Sequence, residues 1–357
     1  SAGGSPAYRK GKRTMANMNN DNLQKTSEQK NAVYFASVSE AAAAAKLASA
    51  QLSTLSIDTR NNALIAMADA LIENAAEITS ENLFDLNAAE EQMKNGKLNS
   101  SLYHRLKFDL AKLKVTADGI RQVAALPDPL GNLTMARELD AGLNLYRISC
   151  PLGVVAVIFE SRPDAFPQIV SLAIKSGNAI ILKGGKEAEK SNRILFKTLR
   201  NAIKSVGLPE DSIFLLETRE DVGALLKADE FVDLVIPRGS NDLVRHVQDN
   251  TRIPVLGHAD GICHIFVDET ADAEKATRIV CDAKTQYPSA CNAVETLLIH
   301  KSQVDVLLPR LVAALQKENV ELRLDEFCKN SIMNASCHRS AMGIIDLSKL
   351  EDANSDD

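Results

Sequence analysis

From Pro151 onward, strand and helix patterns alternate, and the strand segments are apolar without the every-second-residue alternation of a half-exposed strand. Strands are predicted over 154–159, 179–182, 213–216, 234–236, 253–256, 264–267 and 296–299. Helices are predicted between them over 165–175, 191–206, 221–227, 240–249 and 273–284. A strand that is apolar on both sides is covered on both faces. Repeated strand–helix–strand order therefore predicts a parallel sheet flanked by helices, an α/β chain of Rossmann type. Ligands of such sheets bind beyond the carboxyl ends of the strands, so the residues following each strand are the candidates for chemistry.

The preceding third has a helical period. Ser39 is a candidate cap for a helix over 40–55. Asp58 is a candidate cap for the next, where Leu64, Met67, Leu71, Ala75 and Ile78 recur at spacings of three and four. Helical pattern continues over 82–91 and 99–126 until Pro127-Asp-Pro129. Apolar runs over 133–139 and 143–148 flank Asp140-Ala-Gly142 and predict a β-hairpin.

Composition narrows the function. Hydrophobic residues make up 45% of 357, aromatic residues only 4%, and the net charge is −6. A chain that is acidic and poor in stacking side chains does not fit general nucleic-acid binding. No apolar run approaches the ~20 residues that a membrane-spanning helix needs. Six cysteines are scattered without a C-x-x-C pair, which fits a reducing compartment. Cys150, Cys263 and Cys281 adjoin apolar segments and are expected to be buried. Cys328 and Cys337 fall in a weakly patterned stretch. Residues 1–30 are polar, with a basic cluster at Arg9, Lys10, Lys12 and Arg13. They are expected to form a tail, a linker or translated upstream sequence, with the end of a transit peptide as the alternative.

Three segments carry candidate chemistry. Asn178-Ala-Ile-Ile-Leu-Lys-Gly-Gly-Lys186 ends a strand in two glycines between two cations, Lys183 and Lys186. Gly184 and Gly185 would let a ligand approach the backbone closely. A second strand ends in Arg238, Gly239 and Ser240 before a helix, a pattern able to hold phosphate. Taken singly, each pattern reads first as an ordinary strand-to-helix turn with solvated lysines, and G-x-G-x-x-G is absent. The third segment is Gln286-Tyr-Pro-Ser-Ala-Cys-Asn-Ala-Val-Glu295, which displays Cys291 after a proline turn and before a strand. A thiolate there would attack acyl carbons, whereas an isolated cysteine is more often a small core residue. His258, Cys263 and His264 match no standard zinc spacing, and no metal site is expected.

Several motifs taken in order carry a resemblance: Pro151-Leu-Gly-Val154, Phe159-Glu-Ser-Arg-Pro163, Ile174-Lys-Ser-Gly-Asn178, Leu182-Lys-Gly-Gly-Lys186, Val235-Ile-Pro-Arg-Gly-Ser-Asn241, Pro254-Val-Leu-Gly-His-Ala-Asp-Gly261, Asp282-Ala-Lys-Thr285, Tyr287-Pro288 and Cys291-Asn-Ala293. Over about residues 38–325 the chain resembles the gamma-glutamyl phosphate reductases of the aldehyde dehydrogenase superfamily, which also form the C-terminal module of pyrroline-5-carboxylate synthetases. The resemblance implies an aldehyde-dehydrogenase-like fold: a Rossmann-type parallel sheet, a second α/β catalytic domain and a β-hairpin oligomerisation flap. It implies NADPH-dependent reduction of gamma-glutamyl phosphate to glutamate 5-semialdehyde plus phosphate, the second step of proline biosynthesis. By the motif match, Cys291 is the nucleophile and Asn292 a donor beside it. Lys183, Gly184, Gly185, Lys186, Arg238, Gly239 and Ser240 fall in the cofactor segments, and Ser161 and Arg162 are candidate substrate contacts. For Arg162 a structural ion pair is the equal alternative.

Two comparisons with the family sharpen this. Hydrolytic aldehyde dehydrogenases carry a water-activating Glu where Val255 stands, so a thioester here would meet hydride and not water. NAD-preferring relatives place a Glu where Lys186 stands. A cation there, with no carboxylate to repel it, suits the 2′-phosphate of NADP.

After about residue 325 the resemblance fades. Met333-Asn-Ala-Ser-Cys-His-Arg339 matches fragments of a family motif, and residues 340–357 match none of it. The expectation is a chain truncated or altered at its C-terminus, frayed from about Asp346, with the hairpin's sheet partners lost. The expected domains are a tail over 1–36, an NADPH-binding domain over 37–257 with the flap at 133–148, a partial catalytic domain over 258–340 and an acidic tail over 341–357. A glutamate 5-kinase, separate or fused, is the implied partner. The family's homo-oligomer is doubtful for this chain. The implied compartment is the cytoplasm, with organellar import as the alternative. The competing functions are an impaired fragment that keeps nucleotide or partner binding, and a hydrolytic aldehyde dehydrogenase.

Overall fold

The computed structural model describes residues 37–96, 98, 100–257, 261–288, 290, 292–334, 339–340, 343–346, 348 and 350–353. Two compact units are present. The first ends at Gly239 and includes Arg245–Leu256; the second contains Ser240–Val244 and the residues from Gly257 onward.

The first unit opens with helices α1 (Val38–Leu52), α2 (Ile57–Glu73), α3 (Ala75–Lys94), α4 (Ser100–Leu106) and α5 (Leu110–Ala125). The caps are Ser37 and Ser56, not Ser39 and Asp58. Each cap serine has extended backbone and accepts from an N–H three residues on, Glu40 and Thr59 respectively. Ser39 and Asp58 already lie inside the first turns, where the capping geometry is unavailable. The single helix expected over 99–126 is broken after Leu106. Phe108 is fully buried at the break, and its N–H donates to Asn82 Oδ1 at 2.9 Å. Asp109 then caps α5 through Lys112 N–H. Burying that ring outweighs helical continuity, which local spacing does not reveal.

The hairpin forms as expected from β1 (Leu133–Asp140) and β2 (Leu143–Ile148). Gly142 takes φ +78 at its turn, a region costly for residues with a Cβ. Its residues are exposed, apart from a half-buried Met135.

The sheet of the first unit has the order β5-β4-β3-β6, all parallel. Its strands are β3 (Val154–Phe159), β4 (Ala179–Lys183), β5 (Ile213–Leu216) and β6 (Leu234–Arg238). All six residues of β3 are buried, as an apolar central strand requires. Helices α6 (Ala165–Lys175), α7 (Glu189–Ser205) and α8 (Arg219–Leu225) connect the strands, and α9 (Asn241–Asp249) follows β6. The strand expected over 253–256 reduces to one bridge between Val255 and Val235. Pro254 has no N–H to donate; only its carbonyl joins the pairing, accepting from Val235 N–H.

The second unit pairs β7 (Cys263–Val267) with β8 (Val294–Ile299) in parallel, so the expected strands fall into two sheets. Helices α10 (Ala273–Thr285), α11 (Val304–Lys317) and α12 (Glu326–Asn334) accompany them. Val267, Val280, Leu307, Leu311 and Leu315 form one core there. The region expected to fray is instead partly paired: β12 (Leu350–Asp352) runs parallel to β9 (Leu322–Leu324). Leu350 packs on a second core around Val304, Leu308 and Ile332, which holds the strand in place. Two short strands, β10 (Arg339–Ser340) and β11 (Gly343–Ile344), pair antiparallel.

Cysteine burial also departs from expectation. Cys150 is exposed because it follows the exposed hairpin, and Cys263 and Cys281 are only half-buried. Cys328 sits in α12, where burial and the neighbouring Asp325 carboxylate push its thiol up to about 11. Cys337 and His258 lie outside the described residues.

Candidate functional site

Parallel register brings the ends of the four strands of the first sheet together. Lys183 lies opposite both Ile158 of β3 and Leu216 of β5, while Arg238 lies opposite Phe159. Lys183, Gly184, Gly185 and Lys186 therefore stand at the carboxyl edge of the sheet with Arg238 and Gly239. Ser240, the next residue, accepts Leu243 N–H at the start of α9. This edge is where a parallel sheet holds its ligands.

The two glycines are required by close packing. A Cβ on Gly184 would sit 2.2 Å from Asn192 Nδ2, and one on Gly185 would sit 2.3 Å from Ser161 Oγ and 2.9 Å from Ser161 N. Ser161 is 3% exposed and donates to Glu187 Oε2 at 2.5 Å. Its hydroxyl thus braces the turn after Gly185. Arg162 is exposed and donates to Asp164 Oδ2 at 2.8 Å, the ion pair that the sequence left as its alternative. Burial pushes the Lys183 ammonium below its ordinary value; Glu187 opposes that shift and Arg219 adds to it. The ammonium donates to Gly184 O at 2.7 Å.

A narrow, shallow cleft opens at this edge, bordered by Gly184, Gly185, Lys186, Glu189, Asn192 and Glu217 among others. Asn192 is 3% exposed, and its Oδ1 is buried without a hydrogen-bond partner. An orphan acceptor beside a backbone that tolerates no Cβ fits a ligand carrying hydroxyls or amines, such as a dinucleotide. The sequence missed Asn192, Glu189 and Glu217. Asn192 looks like any polar helix position until α7 is folded against the turn at Gly184. Glu217 had one usable signal, its place directly after β5. It borders the same cleft as Lys186.

Cys291 lies outside the described residues. Asn292 belongs to the second unit, is exposed, and precedes β8. Among the described residues, no group of three or more His, Cys, Asp or Glu could hold a metal ion. No helix among them is long and apolar enough to cross a membrane.

The sequence pattern of the aldehyde dehydrogenase family matches residues 8–354. The gamma-glutamyl phosphate reductase of Acetivibrio thermocellus is 50% identical over 286 residues, covering 80% of this chain and 65% of that one. The crystal structure of the Thermotoga maritima gamma-glutamyl phosphate reductase is 33% identical, with a TM-score of 0.79, and the match covers 89% of this chain and 73% of that one. The chain belongs to the aldehyde dehydrogenase family, in its gamma-glutamyl phosphate reductase branch. The Saccharomyces cerevisiae gamma-glutamyl phosphate reductase structure is 41% identical, with a TM-score of 0.59 over 89% of this chain and 80% of that one. An acetylating aldehyde dehydrogenase from Geobacillus thermoglucosidasius, 18% identical with a TM-score of 0.55, shares the fold. Members of this family use nicotinamide cofactors. The chain spans a little under two thirds of the first curated relatives it matches, for example 64% of the Ruminiclostridium cellulolyticum protein.

Proposed function

We propose that the chain carries the machinery for NADPH-dependent reduction of gamma-glutamyl phosphate to glutamate 5-semialdehyde. The observation that carries this reading is the strand-end cradle of Gly184 and Gly185 with the orphaned Asn192 beside it. The relatives' names supply the substrate. Such an acyl phosphate is the product of a kinase acting on glutamate, which makes that kinase the natural supplier.

The Cys291 thiolate attacks the acyl carbon; the C–S bond forms, the bond to the phosphate oxygen breaks, and phosphate leaves. Asn292 donates to the carbonyl oxygen as charge develops there. The reduced nicotinamide, when bound, supplies the hydride that converts the thioester to aldehyde. The thiolate is then returned. Val255, in place of a carboxylate base, leaves water without activation and disfavours a hydrolytic aldehyde dehydrogenase. Gly184, Gly185, Lys183 and Lys186 hold the adenosine half of the cofactor, with Ser161 bracing their turn through Glu187. Arg238, Gly239 and Ser240 serve its phosphates. Arg162 keeps an exposed guanidinium for a substrate anion once it leaves Asp164.

The reverse reaction tests this. Incubated with NADP, phosphate and pyrroline-5-carboxylate, the wild-type chain is expected to form NADPH only when phosphate is present, and Cys291→Ala is expected to form none. Phosphate-independent NADPH formation would point to the hydrolytic reaction instead. NADPH binding without turnover would favour a nucleotide-binding fragment.

A further inference from the structure

The cleft beside Gly184 and Gly185 is bordered by two carboxylates, Glu189 at the start of α7 and Glu217 just after β5. Left ionised and unpaired, both would repel the extra phosphate that separates NADP from NAD. One side chain holds both. Arg193 donates from Nε to Glu217 Oε1 at 2.9 Å, and from Nη2 to Glu217 Oε2 and Glu189 Oε1, each at 3.0 Å. It lies one turn after Glu189 on the same helix and is 40% exposed, so it stays within reach of an incoming anion. Of the residues bordering the cleft, Lys186 alone would answer these two negative charges; Arg193 adds a second positive one beside them.

We propose that Arg193 sets the cofactor preference of this cleft, acting as a specificity-determining residue against Glu217. When a ribose 2′-phosphate enters, the guanidinium offers it the N–H groups of Nη1 while Nε and Nη2 stay on the two carboxylates. When a ribose with free hydroxyls enters, Glu217 is the acceptor they meet, the role a strand-end carboxylate plays in NAD sites. Lys186 adds positive charge but has no fork. The preference therefore depends on three residues from two separate segments, and not on the single position after the strand lysine. This inference rests on the dinucleotide reading above.

Calorimetric titration of the full chain with 2′,5′-ADP and with 5′-AMP probes the adenosine half without any turnover. The wild type should bind 2′,5′-ADP more tightly. Arg193→Gln should weaken 2′,5′-ADP by about tenfold or more, the scale of a charge-assisted pair, and change 5′-AMP by less than about threefold. Arg193→Lys should recover only part of the loss. Glu217→Gln should weaken 5′-AMP and spare or strengthen 2′,5′-ADP. Equal loss of both nucleotides in Arg193→Gln, or loss of neither, would overturn the proposal and leave the dinucleotide reading standing. A wild type that binds neither nucleotide, with melting curves showing it folded, would overturn both.

Discussion

Lys175 is 3% exposed, and its ammonium donates to Asn61 Oδ1 at 2.8 Å, Ala124 O at 2.9 Å and Leu126 O at 2.7 Å. Arg60 donates to Lys175 O and pairs with Asp128 at 2.7 Å. Burial lowers the Lys175 pKa; Asp128 opposes that shift and Arg60 adds to it. Lys175→Met would leave two main-chain carbonyls and one amide oxygen without their donor. Chemical denaturation should show a loss of about 2–4 kcal/mol, consistent with stranded buried acceptors. A change under about 0.5 kcal/mol would mean that the ammonium is not needed there. The sequence flagged Ile174-Lys-Ser-Gly-Asn178 as a family motif but could not say why a lysine stands in it. Its partners lie between 49 and 114 residues away, beyond any local pattern. Cys291 shows the reverse case: the motif around it is plain in the sequence, while its surroundings are not among the described residues.

At the scale of elements, α7 starts without a cap of its own, since Ala188 offers no side-chain acceptor. Asp85 of α3 takes that role across 106 residues, accepting from Ser191 N–H at 2.8 Å and Ser191 Oγ–H at 2.6 Å. It also accepts from Lys190 N–H at 3.2 Å. A helix leaves its first N–H groups unpaired, so this carboxylate fixes the end of α7 that carries Glu189, Asn192 and Arg193. Burial raises the Asp85 pKa above 3.8 despite the opposing hydrogen bonds. Between that value and its raised folded value, the folded chain holds more proton than the unfolded one. Stability from this group is therefore full below about pH 3.8 and is lost as pH rises through the folded pKa. Asp85→Asn should flatten that part of the stability profile, read by denaturant unfolding at steps upward from about pH 3.8. Identical slopes in both proteins would show that Asp85 does not titrate there. Strand ends were legible in the sequence because apolar runs are local. The breaks and caps were less so: the residues that decide them, Phe108 and Asp85, act on partners 26 and 106 positions away.

At the scale of the whole molecule, alternation of strand and helix pointed to the α/β class and to parallel pairing, while the order β5-β4-β3-β6 comes from the structure. Separation of β7 and β8 into their own sheet was not legible, because an apolar strand does not say which sheet it joins. The hairpin was clear from its turn, yet its exposure on both faces was not, since alternation predicts one covered face. Leu133, Leu143, Tyr146 and Ile148 are each more than half exposed on a ribbon that would be marginal alone. Family membership rests on motifs spread through both units, whereas the function rests on whether the first unit binds its cofactor. Calorimetric titration of NADPH into the wild-type chain and into Gly185→Val measures that directly, with circular dichroism reporting on the fold. The account predicts saturable one-site binding by the wild type. It predicts at least about a tenfold weakening in the folded variant, because a side chain there displaces the Ser161 backbone that frames the cradle. A folded wild type that takes up no NADPH, or a folded variant that binds as tightly, would contradict it.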